Sequence, residues 1–384
     1  MSRIKEKFNP KQGRRIFVGM SGGVDSSVAA HLLKEQGFDV TGVFIRSFNV
    51  DGCAERDAED ARRAAAHLGI PFYVFDFEEE YKREVVEYMV NGYRNGLTPN
   101  PDVMCNKEIK FGLFLKKALE MGADYIATGH YVRLDRSSNT PAQGVSGATP
   151  KSYPSQECRN PLSVARDANK DQSYFLWTLT QDQLGYCLFP IGDYLKGEVR
   201  EIARKAGLPT AEKKDSQGIC FLGDVALDEF LKDYIKPKRG PIVDIDGNKV
   251  GEHDGIFFYT IGQRHGLGLG GGEPYYIADK ILKTNTLMMA RGSDNPALFK
   301  KEIEIADVHF IDSNPSDKQR VFARVRYRQP LVPAELQRLS NSNYRLVFKR
   351  AVKFVAPGQS AVFYEAGYFA GLRGRRMLGG GIII

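Results

Sequence analysis

The stretch FVGMSGGVDSSVAAHLLKEQGFDV, residues 17–40, joins an apolar run to a turn of small and hydroxylated residues and then to a helical pattern. RIFVGM, from Arg15, reads as a buried strand. Val28, Ala29, Leu32 and Leu33 recur at helical spacing, with Gly37 as the stop. Between them stand Ser21, Gly22, Gly23, Val24, Asp25 and Ser26. Glycines there admit positive φ and close approach of a ligand, and the N–H groups at the helix start favour an anion. The turn suits phosphate. A capping Ser or Asp explains one of its six residues and leaves the rest without a reason. No Lys follows as in GxxxxGK[ST], and the spacing is not GxGxxG.

Working outward, strand and helix patterns alternate. DVTGVFIR (39–46) and FYVFDF (72–77) read as strands, as does ADYIATGHYV (123–132). Helical patterns fall at DAEDARRAAAHLG (57–69), from about Glu78 to Tyr93, and at KEIKFGLFLKKALEMG (107–122). That order implies an α/β fold with a doubly wound parallel sheet and a ligand at the carboxyl ends of its strands. Residues 136–161, rich in Ser, Pro, Thr, Gly and Asn, read as a long surface insert. Helical pattern resumes at DQSYFLWTLTQDQLG (171–185) and KGEVREIARKAG (196–207). After about Pro209 glycine-punctuated strands take over, indicating two small β-rich domains, the last a β-barrel. The expected division is a catalytic domain over 1–212, a central β-rich domain over 213–296 and a barrel-like domain over 297–384.

The 384 residues are 42% hydrophobic and 26% charged, with no apolar run near the roughly 18 needed to span a membrane. The basic start, MSRIKEKFNPKQGRR, has no apolar segment behind it and does not read as a secretory signal, so a cytoplasmic protein is expected. A net charge of +7 suits an anionic partner without demanding one. The five cysteines, Cys53, Cys105, Cys158, Cys187 and Cys220, are spread out with no CxxC pair, which argues against a disulfide framework or a close-spaced thiolate metal site.

Two of these thiols stand in chemically suggestive places. LTPNPDVMCNKEIKFG (97–112) sets Cys105 at the expected start of a helix, with Lys107 near, and both features favour thiolate. Asp102 reads either as a cap for that helix or as an acid-base group. Cys220 lies in the polar segment KKDSQGICFLGD (213–224), and a reactive thiol and a small buried hydrophobe are both open there. In VFARVRYRQ (321–329), period-two alternation puts Arg324, Arg326 and Arg328 on one face, a row able to track phosphates.

In its order SGGVDSS after a strand resembles the pyrophosphate loop of the N-type ATP pyrophosphatases. The succession SGGVDSS, TPNPDVMCNKEIKFG, TGHY (128–131), KDQSYFL (170–176), DSQGICFLGD, YTIGQRHGLG (259–268), VRYRQ and APGQSAVFY is similar, over nearly the whole chain, to the tRNA-specific 2-thiouridylase family. That resemblance implies ATP-dependent 2-thiolation of a tRNA wobble uridine: AMP is transferred to the C2 oxygen, and sulfur from a cysteine persulfide replaces it. It implies ATP and Mg2+ as cofactors, a sulfur-relay or cysteine-desulfurase persulfide donor as partner, and a monomer that binds no membrane. Cys220 would carry the persulfide and Cys105 would assist, the pair ending as a transient disulfide. Gly19, Met20, Ser21, Gly22, Gly23, Val24, Asp25, Ser26, Ile45 and Gly129 would line the ATP site. Asp25 has two readings, orienting the loop or helping to hold Mg2+, and Ile45 two, packing on adenine or filling the core. Asn100, Pro101 and Asp102 would meet the target base, turned out of its stack. Lys170, Asp171, Gln172, Arg326, Tyr327 and Gln359 would contact tRNA. His130 reads either as an RNA contact or as a buried, hydrogen-bonded histidine.

Two rival readings keep part of this pattern. A synthetase adenylating a small molecule leaves Cys105, Cys220 and the arginine row without a task. A tRNA-binding protein without catalysis has no use for reactive thiols.

Overall fold

The computed structural model describes residues 13–48, 50, 52–135, 160–214, 221–223, 225–267, 272–312, 316–367 and 375–384. Cys158 and Cys220, and all but the last two positions of the 136–161 insert, lie outside them.

Strands β1 (Arg15–Gly19), β2 (Asp39–Arg46), β3 (Phe72–Asp76) and β4 (Tyr125–Thr128) carry the first-half pattern. A hairpin of β5 (Val132–Leu134) and β6 (Leu162–Val164) follows, and then β7 (Cys187–Leu188). The main sheet has the order β3-β2-β1-β4-β7 and is parallel throughout. The chain therefore builds outward from β1 in one direction and resumes on its other side at β4. Between their carboxyl ends lies the topological switch point, where such sheets bind ligands. ADYIATGHYV is two strands, since pairing breaks off at Gly129, which passes beneath the glycine turn.

Both faces of the sheet are covered, which explains why its strands read as unbroken apolar runs. Ile16, Val18, Val40 and Phe44 pack toward helices α1 (Val24–Glu35) and α2 (Cys53–Leu68). Phe17, Val43, Phe75 and Ile126 pack toward the helical run that starts at Pro101. That run comprises Pro101–Met104, a wide π-helical stretch Cys105–Phe114, and Leu115–Glu120.

The expected helix over DQSYFLWTLTQDQLG is instead a single turn, Ser173–Phe175, and a short helix, Gln181–Gly185, started by a Thr180–Gln183 capping box. Its apolar residues serve another purpose. Tyr174, Leu176, Trp177 and Leu179 are buried in one core with Val362, Tyr364 and Met377 of the last domain.

The central region forms a four-stranded sheet, order β10-β11-β8-β9, from β8 (Gly240–Asp244), β9 (Lys249–His253), β10 (Tyr275–Ile281) and β11 (Thr286–Arg291). Six strands then close a barrel in the order β12-β15-β14-β13-β16-β17. They are β12 (Phe299–Phe310), β13 (Lys318–Arg324), β14 (Val332–Arg338), β15 (Tyr344–Lys353), β16 (Ser360–Glu365) and β17 (Met377–Ile383). The glycines of β17 are a packing device: a Cβ on Gly380 would fall 2.7 Å from the Trp177 ring. The barrel can therefore seat its wall against the catalytic domain only where that strand lacks side chains.

Candidate active site at the switch point

The glycine turn leaves β1 at Gly19, whose register partner is Thr128 of β4. Buried Met20 continues the strand by donating to the Val43 carbonyl at 2.8 Å. Gly22 has φ +73, and a Cβ there would stand 2.3 Å from the Asp57 carbonyl oxygen of α2. Among the described residues no side chain caps α1, whose N-cap is Gly23. The hydroxyls turn inward: Ser26 Oγ donates to the Gly23 carbonyl (3.2 Å) and accepts from the Ser21 amide (3.1 Å), while Ser27 Oγ donates to Gly23 (2.9 Å). From the other strand, Gly129 presses on the same turn, and a Cβ there would lie 2.7 Å from the Ser26 nitrogen. Glycines from β1 and β4 thus meet at an uncapped helix start, the arrangement that receives an anion. Ile45, on β2, packs into the clusters around Phe17 and Cys105.

Asp25 is held by residues that reading the sequence missed. Lys196 Nζ donates to its two oxygens at 2.7 and 2.8 Å, and the Tyr131 hydroxyl to Oδ1 at 2.8 Å. Tyr131 stands in TGHY, and Lys196 opens the helix Lys196–Lys205. Nothing in the spacing of 171 residues announces the pair.

Beside the turn runs the helix with Asp102 and Cys105. It begins a turn earlier than expected, because Pro101 occupies the first helical position and Asn100 Oδ1 accepts from the Val103 amide at 3.3 Å. The cap is therefore Asn100, not Asp102, and Cys105 sits past the first turn. Lys107 pairs with Glu108 at 2.8 Å. Cys105 is buried with Ile109, Phe221 and Leu222 in one apolar cluster, and Phe221 and Leu222 directly follow Cys220 in sequence. Before that segment, Lys213 is anchored on α2 by Asp57 and Asp60 (2.7 and 2.5 Å).

Burial pushes the Asp102 carboxyl above its ordinary value, with the charge of Lys110 opposing. His130 is buried, which holds its imidazole well below its usual value, helped by the same Lys110. Its Nδ1 lies 2.8 Å from Thr128 Oγ1 and its ring packs near Phe111 and Phe189. Of the two readings, the buried, hydrogen-bonded histidine is the one found.

The arginine row is not a row. Strand β13 ends at Arg324, which is buried and donates to Asp171 Oδ2 (2.5 Å), Ser173 Oγ (3.1 Å) and the Tyr364 hydroxyl (2.6 Å). Arg326 is partly buried and donates to the Ile261 carbonyl in the central domain; burial lowers its pKa, with Tyr174 and Tyr93 opposing. Arg328 alone is exposed, at φ +64. Alternation failed because this side of the barrel strand faces the catalytic domain, so its charges are internal. Asp171 is likewise engaged inside, accepting also from the amides of Ala165 and Ser173. Lys170 is partly buried, and Gln172 ties its segment to TGHY by exchanging backbone and side-chain bonds with Tyr131, each 2.9 Å. Tyr327 packs on Phe175 at 4.6 Å between ring centroids. Gln359 reaches the loop just before Asn100. The helical run from Pro101 thus has Asn100 at its start, Gln359 on the loop before it, and, farther along, Phe111 near His130 and Phe114 near Gly19.

Among the described residues no helix is long and apolar enough to cross a membrane. Three family models match in succession: a tRNA methyl transferase HUP domain over residues 14–224, a tRNA methyl transferase PRC-barrel domain over 228–291, and an aminomethyltransferase beta-barrel domain over 300–383. The tRNA-specific 2-thiouridylase MnmA of Lysinibacillus sphaericus is 42% identical over 387 residues, covering 99% of this chain and 96% of its own length. That of Enterococcus faecalis is 44% identical over 96% of this chain and 95% of its own. Among solved structures, a 4-thiouridine synthetase in complex with RNA and ATP aligns with TM-score 0.33 at 18% identity, over 58% of this chain and 50% of that one. NMN synthetase from Francisella tularensis gives 0.32 at 15%, over 59% and 86%. Such partial overlaps bear no functional weight; the full-length relatives do, and by them this chain belongs to the tRNA-specific 2-thiouridylase family.

Proposed function

We propose that the protein thiolates C2 of the wobble uridine of tRNA at the expense of ATP. The observation that supports this reading is that the phosphate-suited turn leaves β1 at Gly19, where a Cβ would meet the Phe114 ring at 3.6 Å on the helical run that carries Asp102 and Cys105, and that Cys105 shares one apolar cluster with Phe221 and Leu222, which follow Cys220 in sequence.

The chemistry follows from the weakness of the C2 oxygen as a leaving group. That oxygen attacks the α-phosphorus of ATP at the glycine turn and releases pyrophosphate, leaving AMP bonded to C2 through oxygen. Cys220 carries a persulfide supplied by a donor protein. The Cys105 thiolate attacks the inner sulfur, forming a Cys105–Cys220 disulfide and releasing sulfide. Sulfide adds to C2 and expels AMP. In the variant order the terminal persulfide sulfur attacks C2 first and Cys105 then cleaves the S–S bond; the products are the same. Either way an external dithiol reduces the disulfide. Asp102 stands three residues before Cys105, suited to proton transfer at the base.

The residues present do not fit a protein-held Mg2+. Both oxygens of Asp25 already accept hydrogen bonds, and among the described residues no group of three or more His, Cys, Asp or Glu is placed to hold an ion. No step is therefore routed through the metal.

The test is mass spectrometry of nucleosides from unmodified tRNA incubated with the protein, ATP, Mg2+ and a persulfide source. An oxygen-to-sulfur exchange at the wobble uridine, absent without ATP and lost in Cys105→Ser and Cys220→Ser, is expected. Absence of the exchange in the wild type, with ATP still split to AMP when small acceptors are added, would transfer the protein to the synthetases.

A further inference from the structure

We infer that Lys196 and Tyr131 are positioning residues of the glycine turn, locking the Asp25 carboxylate and withholding it from metal ions; this rests on the reading that the turn binds ATP. The lock is tight on both sides. Lys196 Nζ meets both carboxylate oxygens, Tyr131 donates to one of them, and the ammonium lies 5.9 Å from the centre of the Tyr131 ring. The lysine side chain is 13% exposed and that of Asp25 32%, so the ammonium is the more shielded of the two groups.

Each holder is itself fixed. The Lys196 amide donates to Asp167 Oδ2 (2.9 Å), and its helix is started by the Leu195 amide donating to Glu198 Oε2 (2.7 Å). Arg166 clamps the same Glu198 at 2.9 Å. Tyr131 is pinned through its amide and carbonyl to Gln172.

Two physical consequences follow. Asp25 lies in the first turn of α1, where a bare carboxylate would repel an incoming phosphate. A paired ammonium cancels that charge and leaves the helix N–H groups to act on the anion. Phosphate loops of the GK[ST] kind carry a lysine within the loop; here the turn has none, and the cation comes from a different helix. Second, a metal ion approaching Asp25 meets a paired ammonium that repels it, and displacing that ammonium would strand a largely buried charge.

Calorimetric binding of α,β-methylene ATP, with Mg2+ and again in EDTA, tests this. Lys196→Met is expected to weaken binding about tenfold or more under both conditions, and Tyr131→Phe about two- to threefold. Asp25→Asn is expected to leave the ratio of affinities with and without Mg2+ within about twofold of wild type, and to make Lys196→Met less costly in the double variant. Undiminished binding by both Lys196→Met and Tyr131→Phe, or collapse of the Mg2+ ratio in Asp25→Asn, would overturn the inference. If Lys196→Met fails to fold by circular dichroism, Tyr131→Phe, which removes one hydrogen bond and no charge, decides with Asp25→Asn. Wild-type protein that does not bind the analogue would sink the ATP reading and the lock together; wild-type binding with indifferent variants would sink the lock alone.

Discussion

Gln359 of the barrel donates from Nε2 to the carbonyl of Thr98 at 2.8 Å, and to that of Pro99 at 3.1 Å. In return the Thr98 amide donates to the Pro357 carbonyl at 2.8 Å. The last domain thereby grips the loop that delivers Asn100, Pro101 and Asp102, 261 positions away in the chain.

Gly358, at the centre of that grip, has φ +90, and a Cβ on it would stand 2.9 Å from Leu97 Cβ and from the Thr98 nitrogen. Gly358→Ala is therefore expected to cost about 1–3 kcal/mol. It should also lower thiolation more than stability alone explains, since the loop before Asp102 must shift. Denaturant unfolding beside single-turnover assays checks this; normal turnover would show that the loop is placed without the barrel.

The Arg324–Asp171 pair is buried, with side chains 7% and 4% exposed. Removing one partner leaves an uncompensated charge inside, so Asp171→Ala and Arg324→Met should each destabilise by about 3–5 kcal/mol. The double variant should recover part of that loss. Additive losses in a double-mutant cycle would mean that the two groups act separately.

Arg326 bonds to the Ile261 carbonyl, and its Nε is buried without a hydrogen-bond partner among the described residues. Arg326→Ala is expected to cost about 1–3 kcal/mol of stability and to leave the salt slope of tRNA binding unchanged. Exposed Arg328 is the better placed for phosphate, and Arg328→Ala should reduce the slope by about 0.7–0.9. A drop of that size in Arg326→Ala would mean that this guanidinium leaves Ile261 when RNA arrives.

Asp102 gives a pH signature. Burial raises its carboxyl pKa in the fold, so the folded state holds the proton more tightly than the unfolded chain. Its contribution is thus fully present below the unfolded value of about 3.9 and is lost as pH rises through the folded value. Asp102→Asn should raise the melting temperature at neutral pH, the gain shrinking toward about pH 4, while abolishing thiolation. A gain independent of pH would detach the effect from ionisation.

Much of the first half was legible because its signals are local. The β2 boundaries match DVTGVFIR, and Gly22 and Gly37 mark turns through their own backbone preferences. Misreadings fell where a pattern had two explanations. DQSYFLWTLTQDQLG looked helical because its apolar residues are frequent, yet they face another domain. The alternation of VFARVRYRQ was real through Arg324, but alternation cannot tell a solvent face from a docked one.

By itself the sequence determined most elements of the first half, the phosphate-suited turn and the ordered motifs that mark the family, since these depend on neighbours within a few residues. Only the tertiary structure decided which charges are internal. Asp25 meets Lys196, Asp171 meets Arg324, and Gln359 meets Thr98 across 171, 153 and 261 positions. A side chain's partner at such a distance is fixed by how sheet and barrel dock, and docking depends on the shape of whole surfaces, which no window along the chain contains.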